Sequence, residues 1–305
     1  THIYIITIFV LFFNLIILIF PKEIMNSVKS GLILWFNFVL PALLPFMISI
    51  NLLKATPFPL MLSKILSPVS SKIFGLSSYG IFAAVSGFLS GYPIGAKLVS
   101  ELYTEKKITG KEAQYLLSFT NNSGPLFIIG TVGTGLLKDR NTGFFLLAIH
   151  YISAIIIGLL LPKPKSKITY IRSHKTFNIG KELKSSIYNG IEAIVLVGGY
   201  IVFFSIICSI LHTFLKDMNI NIYLKALIFG ILEITNGCKE LTSVNPLSLS
   251  LISGIIAFGG LSIHSQSIGY ISSTDLSAQK YILSKAFQGI IAFFLCFTMI
   301  SIHNA

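Results

Sequence analysis

The sequence predicts an all-α polytopic membrane protein made of two structural repeats, in inverted orientation, each with a hairpin-like interrupted segment and a broken transmembrane helix. Three observations lead there. Of the 305 residues, 53% are hydrophobic and 11% charged, and the mean hydropathy is +0.81, which is more apolar surface than a soluble domain of this length can bury. The apolar residues fall into runs near the length a helix needs to cross a bilayer, about 20 residues. Gly, Pro, Asn and Ser interrupt some of these runs in both halves of the chain.

The remaining totals narrow the class. The net charge of +12 comes from Lys and Arg gathered in short connections between apolar runs, as the positive-inside rule requires. The charge therefore reads as topology, and no nucleic-acid partner is expected. Cys208, Cys238 and Cys296 are far apart, with no CxxC or Cys/His spacing, so they read as reduced core thiols and no metal or cofactor is expected. HExxH, GxSxG, Walker loops and paired intramembrane aspartates are absent from the sequence, which reads as a protein that is not an enzyme.

Residues 1–28 read as an N-terminal transmembrane helix and linker. The run 3–20 has no preceding positive residue and no small-residue cleavage site, which favours a retained helix over a signal peptide. The first repeat spans 29–162. Its run 32–53 contains Pro41 and Pro45, which predict a kink. Segment 57–75, with Lys64 and Lys72 among apolar residues, reads as an amphipathic helix lying on the membrane surface. Run 76–102 reads as two half-helices meeting at Ser90-Gly91-Tyr92-Pro93, either as a kinked span or as a re-entrant hairpin.

Run 113–137 is a helix broken at Ser118-Phe119-Thr120-Asn121-Asn122-Ser123-Gly124-Pro125. Pro125 lacks an N–H and disfavours a helical Gly124, while Asn and Ser compete for backbone hydrogen bonds. Such a break is tolerated at membrane depth only when buried in protein or lining a watery cavity. Run 144–161 is an ordinary span. The polar stretch 163–184, with Lys163, Lys165, Lys167, Arg172, Lys175, Lys181 and Lys184, reads as a cytoplasmic loop dividing the chain.

The second repeat, 185–305, follows the same order: span 187–211, run 224–241 interrupted at Thr235-Asn236-Gly237, run 247–271 interrupted at Gly259-Gly260, and span 281–302. Treating the two shorter interrupted runs as re-entrant puts more Lys and Arg on the cytoplasmic side, Lys285 included, than treating them as spanning. It also leaves Lys97 within the membrane. That arrangement makes the repeats antiparallel, with seven crossings and two hairpins.

Paired broken helices and hairpin tips are what a secondary transporter uses to build a site at the bilayer midplane. Ser90, Tyr92, Lys97, Asn121, Asn122, Ser123, Asn236, Ser262 and Gln266 are the substrate-binding candidates, offering amide and hydroxyl donors, a positive charge and a flat ring. Glu233 stands out as an acid inside a predicted membrane piece and is a candidate for a coupling ion or proton. His264 is a candidate proton relay. The bland readings are repair of a structural kink by Asn and Ser, an ion pair of Glu233 with Lys97 or Lys239, snorkelling of Lys97, and a hydrogen-bonded core histidine.

The motifs Ser90-Gly91-Tyr92-Pro93-Ile94-Gly95-Ala96-Lys97-Leu98, Ser118 through Ile128, Phe258-Gly259-Gly260-Leu261-Ser262-Ile263-His264-Ser265-Gln266, Leu40 through Phe46 and Leu232 through Gly237 carry a resemblance. With them the chain resembles, over nearly its whole length, the YlbJ/SpoVV family of sporulation integral membrane proteins of endospore formers. The resemblance implies membership of the nucleoside-recognition gate group, with a plan similar to the concentrative nucleoside transporters. It also implies transport of a small organic anion, dipicolinic acid, from the mother cell across the outer forespore membrane. The partners it implies are dipicolinate and the lipid bilayer, and homo-oligomerisation stays open. The alternatives are a nucleoside-type solute transporter and a non-transporting membrane scaffold for spore maturation.

Overall fold

The structure is a computed structural model describing residues 2–164, 166, 177–241 and 245–303, in which all regular structure is helical. Helix α1 (His2–Ile19) is followed by α2 (Pro21–Leu34), which passes through a π-turn at Trp35–Val39 into α3 (Leu40–Lys54). Then come α4 (Phe58–Ile73), α5 (Ser78–Ser90), α6 (Ile94–Thr104) and α7 (Gly110–Thr120). A π-helix, Leu126–Leu136, and α8 (Arg140–Leu160) complete the first half. The second half is α9 (Ile179–Leu215), α10 (Ile222–Leu232), α11 (Ile234–Lys239), α12 (Pro246–Phe258), α13 (Gly260–Ile271) and α14 (Ala278–His303).

Among the described residues, five stretches are long and apolar enough to cross a membrane: Pro21–Lys54, Arg140–Leu160, Ile179–Leu215, Pro246–Ile271 and Ala278–Ile302. A sixth candidate, α4 with α5, is bent by 91°. The sequence predicts seven crossings. The two that fall short are Ile3–Ile19, a shorter apolar helix, and the run 113–137, whose break leaves two short pieces. Residues such as Ile3, Phe12, Ile65, Leu160, Val195, Phe287 and Phe294 are exposed, as side chains facing acyl chains rather than water would be. On α4, Met61, Ile65 and Val69 form an exposed stripe with Lys64 and Lys72 also exposed, the pattern of a helix lying at an interface.

Short polar side chains start several of the helices, because the first backbone N–H groups of a helix need acceptors and in hydrocarbon water cannot supply them. Ser77 accepts from Gly80 N–H at 3.1 Å, Thr109 from Glu112 N–H at 3.2 Å, and Asp139 from the N–H groups of Asn141 and Thr142 at 3.0 Å each. Asn178, Asn221 and Asn245 do the same for α9, α10 and α12.

The predicted kink at Pro41 and Pro45 takes another form. The helix continues through both prolines, and the adjustment is the π-turn just before them, where Leu40 N–H reaches back to Trp35 O. Widening one turn accommodates the donor that Pro41 lacks. The run 224–241 is interrupted two residues earlier than predicted, at Glu233, whose carboxylate accepts from Thr235 N–H (3.0 Å) and Asn236 N–H (2.9 Å) and so starts a new helix. Thr235, Asn236 and Gly237 lie inside α11. Of the basic stretch 163–184, residues 165 and 167–176, including Lys165, Lys167, Arg172 and Lys175, lie outside the described residues.

The interrupted segments differ in kind. Helix α6 packs back on α5, and α11 on α10, as the arms of hairpins do. A Cβ on Gly237 would stand 2.3 Å from the Cα of Gly230, so those two arms meet backbone to backbone. By contrast, α12 with α13 forms a single candidate span, Pro246–Ile271, broken near its middle. Contacts between the halves come in pairs: α6 lies on α13 and α11 on the π-helix, while α7 lies against α14 and α12 against α8. Two apolar clusters fill the interior, one around α5, α6 and α7, the other around the π-helix, α8, α12 and α14.

Candidate functional site

The four interruptions meet. Gly91, at φ +86°, lies so close to Gly124 that a Cβ would stand 2.8 Å from the Gly124 nitrogen, which joins the α5–α6 turn to the α7 break. Gly260, at φ +69°, rests on the α10–α11 break in the same way, its Cβ position 3.0 Å from Gly230 O and 3.5 Å from the Cα of Glu233. Only a residue without a side chain combines these backbone angles with this approach. Tyr92 links the two pairs: its hydroxyl is 3.5 Å from Ala257 O and lies against Gly259.

Asn121 is the hub of the polar groups at this junction. Its side-chain oxygen accepts from Ala96 N–H at 3.1 Å, in the first turn of α6, and its amide N–H groups donate to Ser267 Oγ and Tyr281 OH, both at 2.9 Å. Asn122 donates to Phe119 O at 2.7 Å. The N–H of Ser123 donates to His150 Nε2 at 3.1 Å. The Asn122 amide and His150 serve backbone groups at the point where α7 unwinds, and the Asn121 oxygen serves an N–H in the first turn of α6; a buried orphan would cost about 1–3 kcal/mol.

At the centre is Lys285 of α14. Its Nζ donates to Asn121 O at 2.8 Å, to Asn122 Oδ1 at 3.2 Å and to Gln288 Oε1, and lies 5.2 Å from the centre of the Tyr92 ring. Asn121, Asn122, Lys285 and Gln288 are all 0% exposed, so the cluster is closed to both sides of the molecule. Its three hydrogen-bond partners are neutral oxygens. On the other side of Asn121, His264 Nδ1 is 3.3 Å from Tyr281 OH, which is 3.2 Å from Ser267 Oγ. His264 Nε2 and His150 Nδ1 are buried without a hydrogen-bond partner among the described residues.

The predicted residues divide. Asn121, Asn122, Ser123, Tyr92 and His264 are brought together. Ser90 is buried close by, but its hydroxyl donates to Ser86 O at 2.7 Å within its own helix. Ser262 and Gln266 pair with each other at 3.5 Å, and at 100° per residue they lie on the face of α13 opposite His264 and Ser267. Glu233 and Asn236 belong to the α11 cap, Glu233 beside the Gly260 break and Asn236 against Cys208 of α9.

Two placements correct the sequence reading. Lys97 directs its ammonium to Asn189 O at 3.0 Å and towards Glu101 at 3.8 Å, beside the Lys54–Glu101 and Lys54–Glu105 ion pairs. It is therefore not the charge at the junction. Lys285, assigned to the cytoplasmic side, is that charge, because α14 turns this face inward. Tyr281, Lys285 and Gln288 fall at i, i+4 and i+7, one polar stripe on a mainly apolar helix. That spacing was the available signal. His150 and Ser267 carried no comparable signal: nothing in the sequence sets His150 apart from its neighbours Tyr151 and Ser153, or Ser267 apart from Ser262, Ser265 and Gln266 in the same helix.

Spanning helices, two hairpins and two broken helices whose breaks converge on buried polar groups define an integral membrane protein of the discontinuous-helix type. No protein-family model matches the chain, and no solved structure matches it. The sporulation integral membrane protein YlbJ of Bacillus subtilis (strain 168) is 29% identical over 323 residues, an alignment covering 93% of this chain and 79% of that protein. The likeness supports placing the chain in the YlbJ family of sporulation integral membrane proteins.

Proposed function

We propose that the protein is a secondary transporter of a small organic anion, dipicolinic acid, working in the outer forespore membrane. The observation that carries this reading is Lys285, a buried ammonium at the meeting point of four helix breaks, held among the described residues by neutral oxygens alone. A cation desolvated without a carboxylate partner is costly. An entering anion would recover that cost, because it supplies the missing countercharge. Dipicolinate is a flat ring with two carboxylates. Lys285 offers charge for one, and the Tyr92 ring, 5.2 Å from its Nζ, offers a face for stacking.

The second carboxylate calls for a second positive charge, and a proton taken up with the substrate would provide it. His264 and His150, each with one unused ring nitrogen, are the groups placed to hold it. Because the cluster is sealed in this conformation, access requires the hairpins α5–α6 and α10–α11 to shift against the spans they touch.

The test is flux of labelled dipicolinate into proteoliposomes carrying the purified protein, with and without a pH gradient, beside a labelled nucleoside. Dipicolinate uptake driven by the gradient supports the proposal. Uptake of the nucleoside alone would reassign the substrate, and uptake of neither by protein shown to be folded would leave the scaffold reading.

A further inference from the structure

The surroundings of Lys285 have the form of a cation site in which the ion is part of the chain. Three oxygens converge on its Nζ: the backbone oxygen of Asn121, freed where α7 unwinds, and the side-chain oxygens of Asn122 and Gln288. The Tyr92 ring closes a further side at 5.2 Å. The two amides are held with their oxygens inward, because their nitrogens are committed elsewhere. Asn122 Nδ2 donates to Phe119 O at 2.7 Å, and Gln288 Nε2 donates to Asn122 Oδ1 at 3.2 Å and to His150 O at 3.4 Å. Neither amide can turn without setting its nitrogen against the ammonium and its oxygen against a carbonyl.

Three acceptors for three N–H groups is the complement of an ammonium, and three neutral oxygens with a ring face is also the complement of a free monovalent cation. In discontinuous-helix carriers, unwound carbonyls hold the coupling ion. We infer that Lys285 is a tethered cation: its ammonium occupies a monovalent-cation site built by the Asn121–Asn122 break, so no soluble Na⁺ or K⁺ is needed to order that break. What this means for coupling rests on the transport reading above. The cation site itself is testable without it.

The test is thermal unfolding of the full-length protein in detergent, with no dipicolinate present. Wild type, Lys285→Ala and Lys285→Gln are compared in chloride salts of Na⁺, K⁺, propylammonium and the bulky N-methylglucamine at equal ionic strength. Lys285→Ala empties the cage, and its Tm should rise by several degrees, saturably, in Na⁺, K⁺ or propylammonium but not in N-methylglucamine. Wild type and Lys285→Gln, whose amide fills the cage with a neutral donor, should respond no more than to N-methylglucamine. If Lys285→Ala folds only when purified in one of the small cations, the inference is supported. It is overturned if wild type gains the same stability from Na⁺ as the variant, if the variant responds alike to all four salts, or if it folds with none of them. Since Tm is read without substrate, a failure to transport dipicolinate does not alter this result.

Discussion

The Nζ of Lys285 lies 2.8 Å from the backbone oxygen of Asn121, so α14 supplies the partner that α7 loses by unwinding 164 residues earlier. The local break and the last helix are one device. Replacing Lys285 by Met keeps most of the length of the side chain and removes the donors, which leaves Asn121 O and Gln288 Oε1 short of a partner, while Asn122 Oδ1 keeps the N–H of Gln288. At about 1–3 kcal/mol per buried orphan, less the relief of no longer burying a charge, the variant should lose stability. Thermal unfolding in detergent measures it, and an unchanged Tm would mean that the ammonium does not hold the break.

The close approach of Gly91 to Gly124 makes a sharper prediction. Gly91→Ala places a Cβ 2.8 Å from a backbone nitrogen at φ +86° and ψ 170°, a region essentially reserved for glycine, where an L side chain is already strained by about 1–3 kcal/mol before any clash. Its Tm should fall well below that of Gly199→Ala, which adds a methyl group where nothing lies within 4 Å and gains helix propensity of up to about 1 kcal/mol. Equal unfolding temperatures for the two would show that the turns are not in contact.

Glu233 caps α11 through both carboxylate oxygens, and two variants separate that role from any part in coupling. Glu233→Ala removes the cap and should cost about 0.5–2 kcal/mol. Glu233→Gln keeps a side-chain oxygen, so its Tm should fall less. If Gln preserves both Tm and pH-driven flux, Glu233 is a cap alone. A variant of normal stability that has lost the response to the gradient would make it a coupling group.

Lys97 and Lys285 should behave differently in a flux assay. Lys97 bonds to Asn189 O and sits within a partly exposed charge cluster with Glu101, an arrangement worth about 0–1 kcal/mol. Lys97→Ala should therefore transport dipicolinate nearly as well as wild type, while Lys285→Ala should fall to the level of empty vesicles. The reverse ranking would return the charged site to the α6 face.

How much was legible before any coordinates can be followed residue by residue. The breaks at residues 121–124 and at Gly259-Gly260, and the turn at Gly91-Tyr92-Pro93, were legible because Gly, Pro and Asn act on the backbone within a residue or two of themselves. The break at Glu233 was placed late because a carboxylate at a helix start looks, in sequence, like any acid in an apolar run. His150 and Ser267 were missed because single polar residues in membrane helices declare their function through the partner they meet; Gln288 was legible in the stripe it shares with Tyr281 and Lys285.

From its sequence alone this chain is a helical membrane protein with paired interruptions in its two halves, since hydropathy, run length and breaker residues are local properties that lipid reads directly. Tertiary structure alone decided which charge stands at the centre. Lys97 and Lys285 are equivalent as residues, and only the rotation of α6 and α14 about their axes sends one ammonium to Asn189 and Glu101 and the other to Asn121. That rotation is set by packing against helices far away in the chain; the polar stripe of α14 hints at its inward face but does not say what the ammonium meets there.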